Sequence, residues 1–509
     1  MKFVQQFFLQ TWLATYLLCA MVVASSPSPI ADAVEHARTS ELRSLLKSDL
    51  NIDTPQADGM TALHWAAFRG DLEIAKLLIN ANASVSVTTR YGVTPLSLAC
   101  QNGKAKLIEL LLNHGADPNT TQRGSETALM TAARAGSLDG VNALLRKGAK
   151  VDTKERRGQT ALMWAAAEGH LSVVDTLIKA RADIHSTLPD SGLNAFFFAA
   201  REGHKTVVHT LLKAGIDVNS ATDPRRPGGK SPEKGTSALI LAIENGHFDL
   251  ALSLIDAGAD PNDQRSGHAP LHIMSWVRKP PRGEDYGAPP PPEITGINNV
   301  QFIRELVKRG ANVNLRLASG RGGLGRYSNK GATPFLLAST TADVPYMKLL
   351  LELGADPSIP NAENCTPLIA ACGIHVGSAQ ATEVAGEEPE VVEAVKLLLK
   401  LGADINAVDA NGETAMHGAA LKNLPKVVQL LADNGAKPDI WNKKNKFGST
   451  PLMLAQGYRP GNFKPSQETV DSVQRVMLAA GLAIPSNTTP VILRNSDWEP
   501  LARPSNKQP

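Results

Sequence analysis

Apolar residues recur along this chain in short runs at helical spacing. Between Leu72 and Asn80, the residues Leu72, Ala75, Leu78 and Ile79 fall at i, i+3, i+6 and i+7. That is the single stripe of a helix with one buried face. A shorter apolar run, Thr61-Ala-Leu-His-Trp-Ala-Ala67, precedes it, and Gly70-Asp71 separates the two. Residues 58–90 therefore predict a turn at Asp58-Gly59, a short helix, a glycine break and a second helix. The stretch from there to Thr94 holds Asn, Ser and Gly without helical period. It predicts an extended β-hairpin finger leading onward.

The unit repeats. Thr61, Thr94, Thr127 and Thr160 stand 33 residues apart, and each lies two residues before a leucine. A second mark keeps the same period: Asn82-Ala-Ser, Gly115-Ala-Asp117, Gly148-Ala-Lys150 and Arg181-Ala-Asp183. Such a fixed period predicts a solenoid in which each unit buries its apolar face on its neighbours. The threonine suits a helix N-terminus that needs a side-chain acceptor. Alanine pairs let helices approach, and the glycine after the second helix supplies a left-handed cap. Asn82 and Arg181 occupy that glycine position. Arginine tolerates the left-handed region poorly, so a locally adjusted cap is expected at Arg181. In the sixth unit Asn194 replaces Thr and Phe196-Phe-Phe198 replaces smaller residues, which predicts a bulkier repeat.

About twelve units can be counted. Residues 27–57 form a worn N-terminal capping repeat, 58–220 regular repeats, 221–481 repeats with insertions, and 482–509 a Pro- and Asn-rich tail. Residues 221–234 and 318–330 lengthen fingers. Residues 278–297, 374–388 and 457–465 sit between paired helices of the eighth, tenth and twelfth units. Those three loops would emerge on one edge and form a common ledge. The competing reading is simple tolerance, because loop closure entropy grows slowly with length.

The helix starts, alanine pairs, Gly-His or Gly-Asp breaks and Gly-Ala-Asp-x-Asn ends closely resemble ankyrin repeats. The nearest matches are Thr94-Pro-Leu-Ser-Leu-Ala99, Gly115-Ala-Asp-Pro-Asn119 and Gly402-Ala-Asp-Ile-Asn406. The resemblance covers residues 31–481 and implies an all-α ankyrin-repeat solenoid of about twelve helix-turn-helix units joined by β-hairpin fingers. It also implies a concave face lined by fingers and first helices. In that register Met60, Phe68, Arg69, Arg90, Tyr91, Gln101, Asn102, Arg134, Glu168, Arg201 and Glu202 point into the groove. Phe68 and Tyr91 beside Arg69 and Arg90 have the aromatic-plus-arginine character of binding hot spots. Against this stands the fact that exposed aromatics also occur singly and without function.

Reactive chemistry is not evident. Gly320-Arg-Gly-Gly-Leu-Gly325 spells G-x-G-x-x-G but lies in a finger insertion, without the strand and helix that a dinucleotide site requires. His64, His272 and His417 occupy the helix-start motif, and His170, His204 and His247 the helix break. Recurrence at one structural position marks them as structural groups. No catalytic residue, metal ligand or cofactor is expected. Formal charge is +3, from 52 Lys plus Arg against 49 Asp plus Glu, which gives little reason to expect a nucleic-acid footprint, although net charge leaves a local basic patch open. Lys2, the apolar run Trp12 to Ala24 and the small residues Ala24-Ser25-Ser26 make residues 1–26 a secretory signal peptide. The rival is an uncleaved anchor from Phe3 to Ala24, weakened by Gln5, Gln6 and Gln10. Cys100 and Cys372 fit small apolar helix positions as free thiols, and a Cys365–Cys372 bridge stays open.

These expectations describe an exported, periplasmic or secreted, non-enzymatic scaffold, similar to exported bacterial ankyrin proteins. It would be a monomer that binds a protein partner in its groove, away from membranes once the signal is removed. The alternatives are a host-directed effector, or an enzyme or cofactor carrier with a deep polar pocket in residues 267–400.

Overall fold

The computed structural model describes residues 28–225, 227, 231–279, 296–320, 329–374, 387–457 and 465–485. Within them lie twelve helix pairs and one further helical turn, Pro438–Trp441. The first pair is formed by helices Pro29–Glu35 and Thr39–Leu45. Residues 1–27, where a signal peptide is expected, and residues 486–509 lie outside the described residues.

Most first helices begin at a side chain able to cap them. Thr94 Oγ1 accepts from Ser97 N at 3.1 Å, and Ser97 Oγ accepts from Thr94 N at 3.0 Å. Asn194 performs the same task in the sixth unit, where its Oδ1 accepts from Phe197 N at 3.1 Å. Seven- to nine-residue helices are too short to persist alone, so their stability must come from packing. The alanine pairs permit that packing. Ala66, Ala67, Ala99, Ala132, Ala133, Ala165 and Ala166 are all completely buried. The bulky sixth unit keeps Phe196, Phe197 and Phe198 buried as well.

Contacts divide the chain into two units. One comprises Met1–Pro189, Leu193–Ala199 and Thr206–Ile216; the other comprises Asp190–Gly192, Ala200–Lys205 and Asp217–Pro509. In the first unit, helix Ala62–Arg69 packs on Pro95–Gln101, that helix on Ala128–Arg134, and that one on Ala161–Ala167. The second helices form a parallel row, Leu72–Asn80, Ala105–Asn113, Leu138–Arg146 and Leu171–Lys179, each packed on the next. In the second unit the first helices Ala238–Glu244, Pro270–Arg278, Pro334–Thr340, Pro367–Ala371, Ala415–Leu421 and Pro451–Ala455 pack in the same serial way.

The fingers differ from expectation. Many are closed by a tight hairpin turn, such as Thr89 N to Val93 O at 2.9 Å or Gln122 N to Glu126 O at 2.9 Å. Beyond these turns the described residues show only isolated bridges, for example Thr121 with Thr127. Consecutive Asn, Asp and Gly turns satisfy backbone donors locally and leave no run of residues for a strand ladder.

The Asp-x-Asn mark has a purpose that spacing alone does not reveal. Asn119 Nδ2 donates to Gly148 O at 3.1 Å, while its Oδ1 accepts from Lys150 N at 2.8 Å. Each clamp therefore grips the helix cap of the following repeat. Asn219, Asn262, Asn314 and Asn406 grip the caps at Gly258, Gly310, Gly354 and Gly435 in the same way. Insertions do not disturb it, because the clamp depends on spatial neighbours and not on chain length.

The cap at Arg181 keeps its hydrogen bonds and changes only its torsion. Arg181 N reaches Ile178 O at 2.9 Å and Ala182 N reaches Leu177 O at 2.9 Å, as at Gly148. Its φ is 64°, against 88° to 108° at Gly115, Gly148 and Gly215. The side chain thus sits in the narrow left-handed well instead of the wider glycine range. Replacing Arg181 with Gly is expected to raise stability by about 0.5–1 kcal/mol, the left-handed penalty less the added entropy of an unfolded glycine. Denaturant titration checks it, and a loss of stability would show the conformation to be unstrained.

Insertions between paired helices reshape the helices that flank them. Pro367–Ala371 and Pro451–Ala455 shrink to five residues, whereas their partners Glu388–Lys400 and Gln467–Ala479 grow to thirteen. The loop bases at the eighth and tenth units meet across the ninth. Lys279 Nζ lies 2.8 Å from Glu390 Oε2 and donates to Thr341 O at 2.7 Å. The loops themselves, residues 280–295, 375–386 and 458–464, lie outside the described residues, so the ledge stays a proposal.

Candidate functional site

Helix Ala62–Arg69 starts at Thr61 and ends at Gly70, which is left-handed. Its last turn carries Phe68, and the turn before carries Trp65. The two rings meet edge to face at 5.8 Å. Trp65 Nε1 donates to Gln56 Oε1 at 2.6 Å, and Gln56 Nε2 donates to Asp32 and Glu35. The aromatic pair therefore rests on a fixed polar chain. Phe68 nevertheless leaves 51 % of its surface exposed, and so does Tyr91 on the next hairpin tip. Arg69 donates to Glu35 O at 3.1 Å, and Arg90 donates to Ala57 O at 3.2 Å. The Arg90 guanidinium also lies 5.5 Å from the Tyr91 ring centre. Asn102 Nδ2 donates to Phe68 O at 2.8 Å, which joins the second and third repeats at this point. Met60 is half-buried in its turn, and Gln101 is exposed.

Arg134 lies 4.9 Å from the centre of the Trp164 ring and pairs with Glu126 at 3.0 Å. Glu168 forms the C-cap of helix Ala161–Ala167 and is half-buried. Arg201 and Glu202 fall in the second unit, where they pair with each other at 2.9 Å. Sequence reasoning passed over Trp65 and Trp164, which support these groups. It also passed over Arg123, Arg156 and Arg157, although Arg90, Arg123 and Arg156 keep the 33-residue period.

Five of the motif histidines bond the backbone of a neighbouring repeat. His64 Nδ1 accepts from Thr61 N at 3.2 Å, and His64 Nε2 donates to Val93 O of the next repeat at 2.9 Å. Burial lowers the pKa of His64 and keeps the ring neutral, as two such bonds require. His417 repeats the arrangement with Thr414 and Lys443 O. His272 donates to Ala332 O at 3.1 Å, but its buried Nδ1 has no partner among the described residues, because Ala269 stands where His64 and His417 have Thr. Burial takes its pKa down to about 3. His170 and His247 donate backwards, to Arg134 O and Arg201 O, each at 3.0 Å.

Cys100, Cys365 and Cys372 are free and buried. The open disulfide alternative is thereby resolved against a bridge. Burial pushes the Cys372 thiol up to about 12, and burial beside Asp409, Glu363 and Glu413 pushes Cys365 well above the ordinary thiol range. Among the described residues no group of three or more His, Cys, Asp or Glu side chains could hold a metal ion. Nor is any described helix long and apolar enough to cross a membrane. A shallow basin on the finger side is lined by Asn219, Asp260, Asn262, Asp263 and Arg265. Its polar groups are already engaged in the asparagine clamps and in the Asp263–Arg265 pair at 2.8 Å. Most of the G-x-G-x-x-G segment lies outside the described residues.

Comparison with known proteins agrees with this architecture. Residues 30–122, 129–222 and 383–464 match the family model "Ankyrin repeats (3 copies)", and residues 234–266 match "Ankyrin repeat". The chain is 32 % identical over 144 residues to Neurogenic locus notch homolog protein 1 of Xenopus tropicalis. It is 33 % identical over 130 residues to the B-cell lymphoma 3 protein homolog of Mus musculus. It is 27 % identical over 159 residues to an ankyrin repeat protein of Acanthamoeba polyphaga mimivirus. These segments are 25 %, 26 % and 28 % of this chain, and they span only 6 %, 25 % and 27 % of the relatives' lengths. More than half of the chain thus carries the repeat that its capping threonines and buried alanine pairs build, and the chain belongs to the ankyrin-repeat family.

Proposed function

We propose that the chain is a non-enzymatic interaction scaffold that holds a partner protein on the concave face of its first unit. One observation carries this reading. Phe68 and Tyr91 remain half exposed in a unit that buries Phe196, Phe197 and Phe198, and arginines already tethered to backbone carbonyls flank them. Tethered side chains lose little rotamer freedom on binding, so they add affinity at low entropic cost. Ankyrin repeats as a family support protein–protein interaction. Residues 1–26 direct export, to the periplasm or the medium, and the mature chain works as a monomer without nucleic acid or membrane.

A photo-crosslinking amino acid tests the face directly. Placed at Phe68 it is expected to capture a defined protein in cells, whereas at Lys76 on helix Leu72–Asn80 it captures none. Equal capture at both positions, or none at Phe68, defeats the reading. Fractionation of the same cells checks export, since a chain retained in the cytoplasm with Met1 intact contradicts it.

A further inference from the structure

The hairpin tips of the first unit carry a periodic set of cations. Several helix cations have carboxylate partners: Lys76 with Glu73 at 2.8 Å, Arg134 with Glu126 at 3.0 Å and Arg146 with Glu109 at 3.5 Å. Arg90, Arg123 and Arg156 stand one per tip, 33 residues apart, with Arg157 beside the last. All four are exposed, and none forms an ion pair among the described residues. The nearby acids are turned to other work. Asp58 Oδ1 accepts from Met60 N at 2.9 Å, Glu155 Oε1 accepts from Arg157 N at 2.8 Å, and Glu126 holds Arg134.

The tips are also held in register. Arg123 N donates to Tyr91 O at 3.2 Å, and Arg156 N donates to Gly124 O at 2.8 Å. The arginines therefore rise from a backbone whose neighbouring tips are tied together. Packed helices lie about 8–10 Å apart, which sets the step from one tip to the next. A polyproline II segment advances about 3.1 Å per residue and presents the same face every third residue, a step of about 9 Å. It needs no backbone hydrogen bonds, which suits tips whose amides are already bonded to each other. A β-strand alternates faces every two residues and cannot keep every third side chain on one side. Nucleic-acid phosphates recur about every 3.4 Å along a strand, far closer than these cations.

We propose that this arginine ladder seats an acidic polyproline II segment of the partner protein, with a carboxylate at every third residue and Tyr91 packed against its apolar face. The proposal rests on the scaffold reading above and names the chemistry of what is held.

The purified full chain can be titrated into a fluorescent repeated Glu-Pro-Pro peptide, a composition-matched peptide with its glutamates contiguous, and a single-stranded oligonucleotide of equal charge. The periodic peptide is expected to bind about tenfold more tightly than the contiguous one, and the Arg123→Glu/Arg156→Glu variant to lose that preference. Circular dichroism of the variant should be unchanged, because both positions are exposed. Equal binding of the two peptides, tighter binding of the oligonucleotide, or a preference that survives the double variant overturns the ladder. A cellular Phe68 adduct that persists while the peptides are not distinguished leaves the scaffold reading standing. Absence of that adduct in the unaltered chain removes the scaffold reading and the ladder with it.

Discussion

Replacing Arg278 with alanine is expected to destabilise the second unit by about 3–5 kcal/mol, the cost of leaving a buried carboxylate without its partner. Arg278 closes helix Pro270–Arg278, and its Nε lies 3.0 Å from Asp343 Oδ2. Only 11 % of the arginine side chain and 7 % of the aspartate are exposed. The same guanidinium bonds Asn299 and lies 5.3 Å from the Tyr346 ring centre. Asp343 meanwhile caps helix Val344–Glu352, accepting from Tyr346 N at 3.0 Å. One residue thus links two consecutive repeats at the base of an insertion. Adding Asp343→Asn to the alanine variant keeps the cap and removes the stranded charge, so the double variant is expected to recover at least half of the loss. Amide exchange of residues 334–352 measures both effects locally, which matters because a repeat array can unfold in stages. A single-variant loss under about 1 kcal/mol would place the pair among ordinary surface ion pairs.

Asp409→Asn is expected to do the opposite and stabilise the protein at neutral pH. Asp409 is 5 % exposed, and its Oδ2 has no hydrogen-bond partner among the described residues. Burial raises its pKa from 3.8 to about 6, helped by the charges of Glu413 and Glu363 and opposed by bonds from Glu413 N and Asn411 N. A raised folded pKa means that the folded chain holds the proton more tightly than the unfolded one. Stability from this group is therefore present at pH 4 and lost as pH rises through 6. The cost at pH 7 is about 3 kcal/mol, from roughly two pKa units at 1.36 kcal/mol each. Asparagine keeps the Oδ1 contacts to Asn411 N and Glu413 N, both 2.8 Å. Asn361 and Asn445 already hold the equivalent hairpin turns in adjacent repeats. The variant is expected to gain about 1–3 kcal/mol at pH 7 and nothing at pH 4. Equal stability of variant and parent across that range would mean the carboxylate is solvated in solution.

The site was legible in part, and its legible part was local. Phe68, Tyr91, Arg69 and Arg90 stand out because the repeat register assigns them no packing role, and two of them prove to be the exposed large aromatics of that region. Trp164 beneath Arg134 was not legible, since a tryptophan in a first helix looks like core until its neighbour's position is known. The arginine ladder was legible in principle from the 33-residue spacing, but its freedom from carboxylates depends on where Asp58, Glu126 and Glu155 turn. The disulfide question had the same character, because seven residues of spacing allow a bridge that a helix start between the two cysteines does not make.

By itself the amino-acid order determined the repeating unit, the boundaries of its helices, the left-handed caps and the structural role of the histidines. The caps and helix starts depend on residues a few positions apart, while the histidine bonds reach the neighbouring repeat, and in the regular repeats a 33-residue period copies both from unit to unit. Only the tertiary structure decided which partners those units choose. It joined Arg278 to Asp343 across a long insertion, set each Asp-x-Asn asparagine on the next repeat's cap, and buried Asp409 among other acids. The physical reason is that hydrogen bonds, ion pairs and desolvation are decided by what lies within a few ångströms, and a chain with insertions of variable length does not record that distance in its spacing.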